Sequence, residues 1–270
     1  MPQKNPASSI QQPESMPLNI ASIASGSNGN CYYIENDNEA VLIDAGISCR
    51  EAEHRMNRIG LSLKKVKAIF ISHEHTDHTR GVEVISRKYS LPVYITAATL
   101  GNSRLWIDPK HAQPFTSAQS VQIGDLRVNA VPKRHDAAEP HSFTIEGNGV
   151  TVGVFTDIGV STDHVIKHLG NCHAAFLEAN YDEKMLEEGR YPVFLKRRIS
   201  GADGHLSNSQ ALELFTTHCT TYMKLLVLSH LSAHNNSPEL VYDLFTKHAN
   251  GTKVVVASRY MESEVFEIDI

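Results

Sequence analysis

Short runs of apolar and β-branched residues, separated by turn-forming residues, make up much of the chain from Leu18 onward. The first three runs, at 18–24, 31–35 and 40–43, are joined by SGSNGN and NDNE, so they predict paired strands in hairpins. Beyond them, strand-like runs alternate with segments of helical periodicity. This pattern predicts a mixed α/β fold rather than an all-helical one.

The rest of the chain continues the alternation of strands and helices. Further strands are predicted at 68–71, 93–95, 121–131, 142–146, 150–155, 174–177, 224–229 and 253–256. Helices are predicted at 51–59, 81–89, 161–168, 182–188, 208–218 and 238–248, with Ser207 as the N-cap of the helix at 208–218. Because we find neither a repeat of fixed period nor a linker after residue 17, we expect one domain over residues 18–270.

The N-terminal segment 1–17 differs from the rest, since it is rich in proline and almost free of apolar residues. We expect a disordered tail there, and Met16 is an alternative start; the sequence does not choose between these. No run approaches the roughly 20 apolar residues of a membrane span, and no secretory signal is evident. The four cysteines form no CxxC pair, which favours reduced thiols and a cytoplasmic protein.

Composition narrows the chemistry. With 41% hydrophobic and 20% charged residues, the chain is typical of globular proteins. Its net charge of −5 provides no general basic field, so an anionic partner would need a local patch. Histidine is the unusual residue: there are 15, against nine Phe and nine Tyr, and imidazole is a common metal ligand.

The segment His73-Glu74-His75-Thr76-Asp77-His78 directly follows the predicted strand at 68–71. On an extended backbone, residues i and i+2 point the same way, so His73 and His75 can approach one cation together. Asp77 and His78, at the start of the next helix, can face a second cation. The alternative is a polar loop with solvated histidines, but four potential ligands at a strand end favour a metal site.

This HxHxDH pattern resembles the signature of the metallo-β-lactamase-fold hydrolases, and the resemblance covers residues 18–268. It implies an α/β (α+β) fold, a four-layer αβ/βα sandwich with two divalent metal ions at its edge. It also implies three later ligands, for which the sequence offers His135, Asp157 and His230. By the resemblance, one metal is held by His73, His75 and His135, the other by Asp77, His78 and His230, and Asp157 bridges both.

Each later ligand also has an ordinary alternative, since His135 or His230 could be a surface histidine and Asp157 a helix cap. Asp44 matches the first motif of the family, which implies that it accepts a hydrogen bond from a ligand imidazole. The alternative for Asp44 is a cap of the following helix. The identity of the metal stays open, because histidine ligands favour zinc while carboxylate ligands also suit manganese.

Four stretches, SGSNGNCYYIE, HDAAEPHSF, YPVFLKRRISGADGHLSN and LSHLSAHNN, resemble the bacterial YycJ/WalJ subfamily, which is associated with nuclease activity on DNA. The resemblance implies a metal-dependent phosphodiesterase, a 5′-to-3′ DNA exonuclease that uses a two-metal-activated hydroxide oriented by Asp77. The residues themselves do not indicate the direction in which DNA would be degraded. The rival interpretations are a thioester or lactone hydrolase of the same fold and a metal-binding protein without turnover.

Several residues support a phosphodiester substrate. Positive charge near the site is expected from Lys133, Arg134, Arg190, Lys196, Arg197 and Arg198, although such a run can also be a solvated helix face. Ser27 and Asn28 lie in SGSNGN, whose backbone amides could form a phosphate nest or a plain hairpin turn. His234 is a further candidate phosphate contact.

Glu178 and His205 resemble the Glu and His that assist proton transfer in tRNase Z. His205 would then protonate the departing sugar oxygen, with Glu178 holding its imidazolium. The alternative is a helix-capping His beside a surface Glu. The segment between Asp157 and His230 is too short for an inserted domain of roughly 100 residues, which favours a compact nuclease that acts on ends or exposed strands.

Overall fold

Two seven-stranded sheets organise residues 17–270, the part of the chain that this computed structural model describes. The strands are β1 (Leu18–Ala24), β2 (Cys31–Glu35), β3 (Ala40–Ile43), β4 (Val66–Phe70), β5 (Val93–Tyr94), β6 (Ala112–Gln113), β7 (Val121–Ile123), β8 (Leu126–Pro132), β9 (His141–Gly147), β10 (Val150–Phe155), β11 (Ala174–Glu178), β12 (Leu225–Ser229), β13 (Lys253–Val256) and β14 (Phe266–Ile268). The helices are α1 (Cys49–Arg58), α2 (Thr76–Thr79), α3 (Val82–Tyr89), α4 (Ala97–Asn102), α5 (Asp163–Leu169), α6 (Glu183–Glu188), α7 (Val193–Ile199), α8 (Asn208–His218) and α9 (Pro238–Thr246).

The strand order explains how distant residues meet. The first sheet has the order β14-β1-β2-β3-β4-β5-β6, antiparallel from β14 to β3 and parallel from β3 to β6. The second has the order β13-β12-β11-β10-β9-β8-β7, parallel from β13 to β10 and antiparallel from β10 to β7. Consequently β3 and β4 end at one edge of the first sheet, while β8, β10, β11 and β12 end at one edge of the second.

Three apolar clusters define four layers. One contains residues of both sheets and forms the interior between them, where Phe70 of β4 meets Phe143 of β9 with ring centroids 5.7 Å apart. Tyr32 of β2 meets Phe176 of β11 at 4.8 Å in the same layer. The other two clusters pack α1 and α3 on the first sheet, and α5, α8 and α9 on the second. The predicted four-layer α/β sandwich is confirmed.

The differences from the predicted elements have local causes. The run at 121–131 divides into β7 and β8 at a turn where Gly124 has φ of 56°. The short strands β6 and β14 have too few residues to show an alternation. Helix α7 buries none of its residues, so it has no apolar stripe to reveal it. The predicted tail and Met16 lie outside the described residues, apart from residue 17.

Helix α8 begins as predicted. The Ser207 side chain accepts a hydrogen bond from the Gln210 amide, and the Gln210 side chain in turn accepts one from the Ser207 amide, which forms a capping box. Among residues 17–270, no helix has the length and apolar character that crossing a membrane requires.

Candidate metal centre

The candidate ligands gather where the two sheets present their carboxyl ends. Each follows or ends a strand: Asp44 (β3), His73 (β4), His135 (β8), Asp157 (β10), Glu178 (β11) and His230 (β12). Asp44, Asp157 and His230 adopt left-handed backbone conformations, with φ of 60°, 55° and 56°. Such conformations cost about 1 kcal/mol or more for a non-glycine residue and are typical of functional sites.

Three histidines form the first cluster. Nε2 of His73 lies 3.0 Å from Nδ1 of His75, and the ring of His135 lies 4.9 Å from the ring of His73. One ligand atom from each of the three lies within 4.8 Å of the other two. Since a zinc–nitrogen bond of about 2.0–2.1 Å places tetrahedral ligand atoms about 3.3 Å apart, this spacing suits one cation.

A second cluster contains Asp77, His78 and His230. Oδ2 of Asp77 lies 3.4 Å from Nε2 of His78 and 3.7 Å from Nε2 of His230. The nearby His78 and His230 outweigh the effect of burial, which alone would raise the pKa of Asp77, and hold that pKa well below its ordinary value. Asp77 is therefore an ionised carboxylate that can face a cation.

Asp157 lies between the two clusters. Its Oδ2 is 3.2 Å from Nε2 of His78 in the second cluster, and its Oδ1 is 3.8 Å from Nε2 of His135 in the first. The side chain is 2% exposed. This is the position expected of a bridging ligand.

The polar atoms of the two clusters fit divalent cations. Nε2 of His135, Oδ2 of Asp157 and Nε2 of His230 are buried and lack hydrogen-bond partners within residues 17–270. A buried polar atom without a partner costs about 1–3 kcal/mol, which metal coordination would offset. Burial also lowers the pKa of His135 to about 4, which favours the neutral imidazole that can bind a cation.

Asp44 orients two ligand rings. Its Oδ2 accepts hydrogen bonds from Nδ1 of His78 at 2.7 Å and from the Ser72 hydroxyl at 2.8 Å, while its Oδ1 accepts from the Ser72 amide. The Ser72 hydroxyl also contacts Nδ1 of His73 at 2.9 Å. These contacts engage Nδ1 of both rings and direct Nε2 toward the clusters, where Nε2 of His78 also lies 3.0 Å from the side-chain amide nitrogen of Asn30. Asp44 is not the cap of α1, whose N-cap is Ser48.

Glu178 is completely buried, and both of its carboxylate oxygens have polar partners. Oε1 contacts Nδ1 of His205 at 2.9 Å and Nδ1 of His230 at 2.8 Å. Oε2 accepts hydrogen bonds from the amides of Ile158 and Leu206. Burial alone would raise the pKa of Glu178, but the contacts with His205 and His230 outweigh it and lower that pKa to about 2. Glu178 is thus no surface residue.

His205 lines a cavity of about 280 Å³ at the cluster. Because its Nδ1 is held by Glu178, Nε2 is the nitrogen available to the cavity. The cavity is also lined by His75, Asp77, His135, Asp157 and His230, and Tyr191, Leu195 and Ile199 add apolar surface to the lining. The His205 ring lies 5.1 Å from the His135 ring and 5.2 Å from the His230 ring, so a substrate in this cavity would meet His205 and the ligands together.

Two of the basic residues expected near the site, Lys133 and Arg134, are engaged by other groups of the protein. Lys133 is buried, and its ammonium donates a hydrogen bond to the Thr156 carbonyl at 2.6 Å, so it cannot meet a phosphate. Burial lowers the pKa of Lys133, an effect that the nearby carboxylates of Asp157 and Asp44 oppose, so its ammonium is a buried cation beside the ligands. Arg134 is exposed but pairs with Asp203 at 2.9 Å.

Helix α7 carries Lys196, Arg197 and Arg198, whereas Arg190 precedes this helix and is exposed. Lys196 donates to the Glu187 carbonyl at 2.5 Å, and Arg198 pairs with Asp136 at 2.6 Å while lining the cavity. Arg197 is exposed and forms no ion pair within residues 17–270. Arg197 is therefore the cation of this helix that is most available to a ligand.

The SGSNGN loop is largely a hairpin turn between β1 and β2. The Gly26 amide donates to the Asn30 side chain, the Gly29 amide to the Gly26 carbonyl, and the Asn30 amide to the Asp77 carbonyl. These three amides are unavailable for a phosphate nest. Ser27 lines the cavity, whereas Asn28 is exposed and its carbonyl accepts a hydrogen bond from Arg80.

His234 is exposed and stands edge-on against Tyr191, with ring centroids 5.9 Å apart. It therefore adjoins the cavity through Tyr191.

Sequence reasoning missed Ser72, Tyr191 and Asp136. Oδ1 of Asp136 lies 3.3 Å from Nε2 of His135. The only feature of the sequence that could have indicated Asp136 is its position directly after the predicted ligand His135.

Comparison with known proteins agrees with this geometry. A beta-lactamase superfamily domain matches residues 39–231. Exodeoxyribonuclease YycJ of Bacillus anthracis is 35% identical over 232 residues, 83% of this chain and 86% of that protein. This chain is a YycJ/WalJ-like member of the beta-lactamase superfamily.

Two further comparisons extend this assignment. Exodeoxyribonuclease WalJ of Streptococcus pneumoniae is 32% identical to this YycJ/WalJ-like protein over 225 residues, 82% of the chain and 84% of WalJ. The crystal structure of the metallo-beta-lactamase fold protein YhfI from Bacillus subtilis superposes with a TM-score of 0.72 at 17% identity. The alignment covers 93% of this chain and 99% of YhfI, which confirms the fold.

Proposed function

We propose that this YycJ/WalJ-like protein is a metal-dependent exodeoxyribonuclease that binds two divalent cations, zinc or manganese. The observation that carries the proposal is the contact of Glu178 with His205 at the wall of the ligand-lined cavity. Hydrolysis of a DNA phosphodiester expels a sugar alkoxide. This leaving group is strongly basic, so its departure benefits from a general acid. The names of the relatives YycJ and WalJ support DNA as the substrate.

The ligands divide between the two cations as the two clusters suggest. His73, His75 and His135 would hold one cation, Asp77, His78 and His230 the other, and Asp157 would bridge them. Bound cations supply Lewis acidity, which lowers the pKa of water and offsets negative charge on the phosphoryl oxygens.

Asp77 and His205 perform the proton steps. The half-buried Asp77 carboxylate borders the cavity, where it accepts a hydrogen bond from the attacking water and orients it. His205, held at Nδ1 by Glu178, presents Nε2–H to the departing sugar oxygen and donates the proton. The negative charge of Glu178 stabilises the imidazolium that precedes this transfer.

Helix α7 restricts what can enter. Leu195, Arg198 and Ile199 of this helix line the small cavity. A chain end can fill such a cavity more readily than the interior of a duplex. These features favour removal of nucleotides from ends, and the 5′-to-3′ polarity stays a prediction.

The proposal is tested with the metal-loaded protein and DNA carrying a label at either end. We expect mononucleotides or short products from single- or double-stranded DNA, with the label at one end released first. RNA of the same sequence, a lactone and a thioester serve as competing substrates. Faster turnover of the lactone or thioester than of DNA would contradict the proposal.

A further inference from the structure

The ligands of the second cluster come from both sheets, and buried side chains of the β1–β2 hairpin connect them. Asp77 lies in α2, after β4 of the first sheet, whereas His230 follows β12 of the second. Three polar hairpin residues between them are almost completely buried: Ser25, Asn30 and Tyr32. Buried polar side chains are costly unless they are hydrogen-bonded, so the partners of these three residues indicate what they do.

Asn30 is bound to Asp77 through both its backbone and its side chain. Its backbone amide donates to the Asp77 carbonyl at 2.7 Å, and its side-chain amide donates to Oδ2 of Asp77 at 3.3 Å. The backbones can approach because residue 46 is glycine. A Cβ on Gly46 would lie 1.6 Å from the Asp77 carbonyl oxygen and 2.7 Å from the Asn30 amide nitrogen. Asn30 therefore fixes the Asp77 carboxylate relative to the hairpin.

The orientation of the Asn30 side chain follows from its other partners. Its Oδ1 accepts hydrogen bonds from the Gly26 amide at 3.0 Å and from the Tyr32 hydroxyl at 3.3 Å, which turns the NH₂ group toward Asp77. The NH₂ group has two protons, and the Gly26 carbonyl at 3.2 Å accepts one of them. The other faces Oδ2 of Asp77 and Nε2 of His78, at 3.3 and 3.0 Å. When Nε2 of His78 binds a cation, Asp77 is the remaining acceptor for that proton.

Tyr32 and Ser25 extend the contacts to His230. Tyr32 belongs to the apolar cluster between the two sheets. Its hydroxyl lies 2.9 Å from Oγ of Ser25, and that Oγ accepts a hydrogen bond from the His230 amide at 2.8 Å. Because the single proton of the Tyr32 hydroxyl is donated to Asn30, Ser25 donates to Tyr32. The hydrogen bonds thus run in one direction, from the His230 amide to the Asp77 carboxylate.

His230 is fixed by partners from both sheets. Its backbone is left-handed, with φ of 56°, a conformation that its surroundings must stabilise. Its carbonyl accepts a hydrogen bond from the Asn180 side chain at 2.7 Å, and its Nδ1 lies 2.8 Å from Glu178. Glu178 ends β11 of the second sheet and Asn180 follows it, whereas Ser25 belongs to the hairpin of the first sheet. Ser25 therefore ties His230 to the sheet that carries Asp77.

We propose that the Ser25–Tyr32–Asn30 network positions the ligands of the second cation, so that Asp77 and His230 keep the separation that the cation requires across the two sheets. The inference rests on the proposed function, because it assumes two cations, and it deepens that proposal by assigning the network to one of them. Within residues 17–270, the network forms no hydrogen bond with the ligands of the first cluster, His73, His75 and His135. Changes in the network should therefore weaken binding of the second cation selectively.

The test measures Zn²⁺ binding to the metal-free full-length protein by calorimetric titration, with a competing chelator that resolves the two binding steps. The second cation's step is the one that His78→Ala abolishes. In Asn30→Ala, this step should weaken about 10- to 100-fold, as is typical when a partner of a metal ligand is lost, while the other step changes less than about twofold. Tyr32→Phe keeps the packed ring and removes one hydroxyl, so the same step should weaken about three- to tenfold.

Tyr33→Phe is the matched control. Tyr33 is the next residue of β2 and is equally buried, but its hydroxyl donates to Glu35 rather than to the network. The Tm of the metal-free protein should fall in both Tyr→Phe variants, because each loses a buried hydroxyl contact, whereas Zn²⁺ binding should weaken in Tyr32→Phe alone. The Asn30→Ala/Tyr32→Phe double variant should bind the second cation about as weakly as Asn30→Ala, since both changes act through the same contact with Asp77.

The outcomes separate this inference from the proposed function. Wild-type protein that binds two cations, with unchanged second-step affinity in Asn30→Ala and Tyr32→Phe, would overturn the network alone. Equal weakening of both steps, or the same weakening in Tyr33→Phe, would show a general structural role and would also overturn it. Wild-type protein that binds fewer than two cations would overturn the two-cation assignment of the proposed function, and this inference with it.

Discussion

Oε1 of Glu178 lies 2.8 Å from Nδ1 of His230, and the same oxygen lies 2.9 Å from Nδ1 of His205. One buried carboxylate oxygen therefore orients both a candidate metal ligand and the proposed general acid. The sequence assigned Glu178 to His205 alone. The shared contact means that a change at Glu178 reaches the metal as well as the proton donor.

Glu178→Gln should consequently lower both metal content and turnover. The neutral amide removes the charge that supports two imidazoles, and partners of this kind typically change metal affinity by about 10- to 100-fold. Metal analysis after dialysis against a weak chelator, together with assays on DNA and on bis-p-nitrophenyl phosphate, measures the effect. Full metal content with loss on DNA alone would show that His230 does not depend on Glu178.

His205→Ala should instead slow the cleavage of DNA selectively and leave the metal in place. DNA cleavage should slow by about 10²- to 10⁴-fold, because its alkoxide leaving group needs a proton, while p-nitrophenolate leaves without help. Metal content should stay intact, because Nδ1 of His205, the ring nitrogen nearest Asp157, is engaged by Glu178 and is not assigned to a cation. An equal loss on both substrates would instead place His205 in substrate positioning.

Metal removal should destabilise the fold. Asp44, Asp157 and Glu178 lie together in a buried region that cations would neutralise. Ligand binding to the folded state stabilises it by about 4 kcal/mol when the ligand is at 1,000 times its Kd. Thermal unfolding with EDTA should show a lower Tm that returns on adding zinc or manganese. An unchanged Tm would argue against cations in the buried clusters.

Arg197→Ala should raise the KM for DNA with little change in kcat. Arg197 is exposed on α7 without a carboxylate partner in residues 17–270, whereas Lys196 and Arg198 are engaged by Glu187 and Asp136. The salt dependence of kcat/KM should flatten, because one fewer counterion is released. Lys184→Ala on α6, where the lysine is also exposed, is the control. Equal effects of the two variants would indicate general surface charge only.

The ligands of the segment 73–78 could be predicted from their spacing after a strand, whereas His135, Asp157 and His230 were implied by the resemblance to the metallo-β-lactamase-fold hydrolases. The strand order explains why they meet, because parallel strands bring their carboxyl ends to one edge. Contacts across the chain could not be found in this way. Lys133 was expected to add positive charge near the site, but the sequence does not indicate that its ammonium is buried against the Thr156 carbonyl. Helix α4, of six residues, was also not predicted.

The central claim is that the clustered residues bind cations that cleave DNA from its ends, and Asp157 tests it most directly because it lies between the clusters. The measurement is metal content together with degradation of end-labelled DNA, for wild type and Asp157→Ala. We predict that the wild type retains divalent metal and shortens DNA from an end, while Asp157→Ala binds less metal and loses activity by several orders of magnitude. Full metal content with normal turnover in Asp157→Ala would contradict the account.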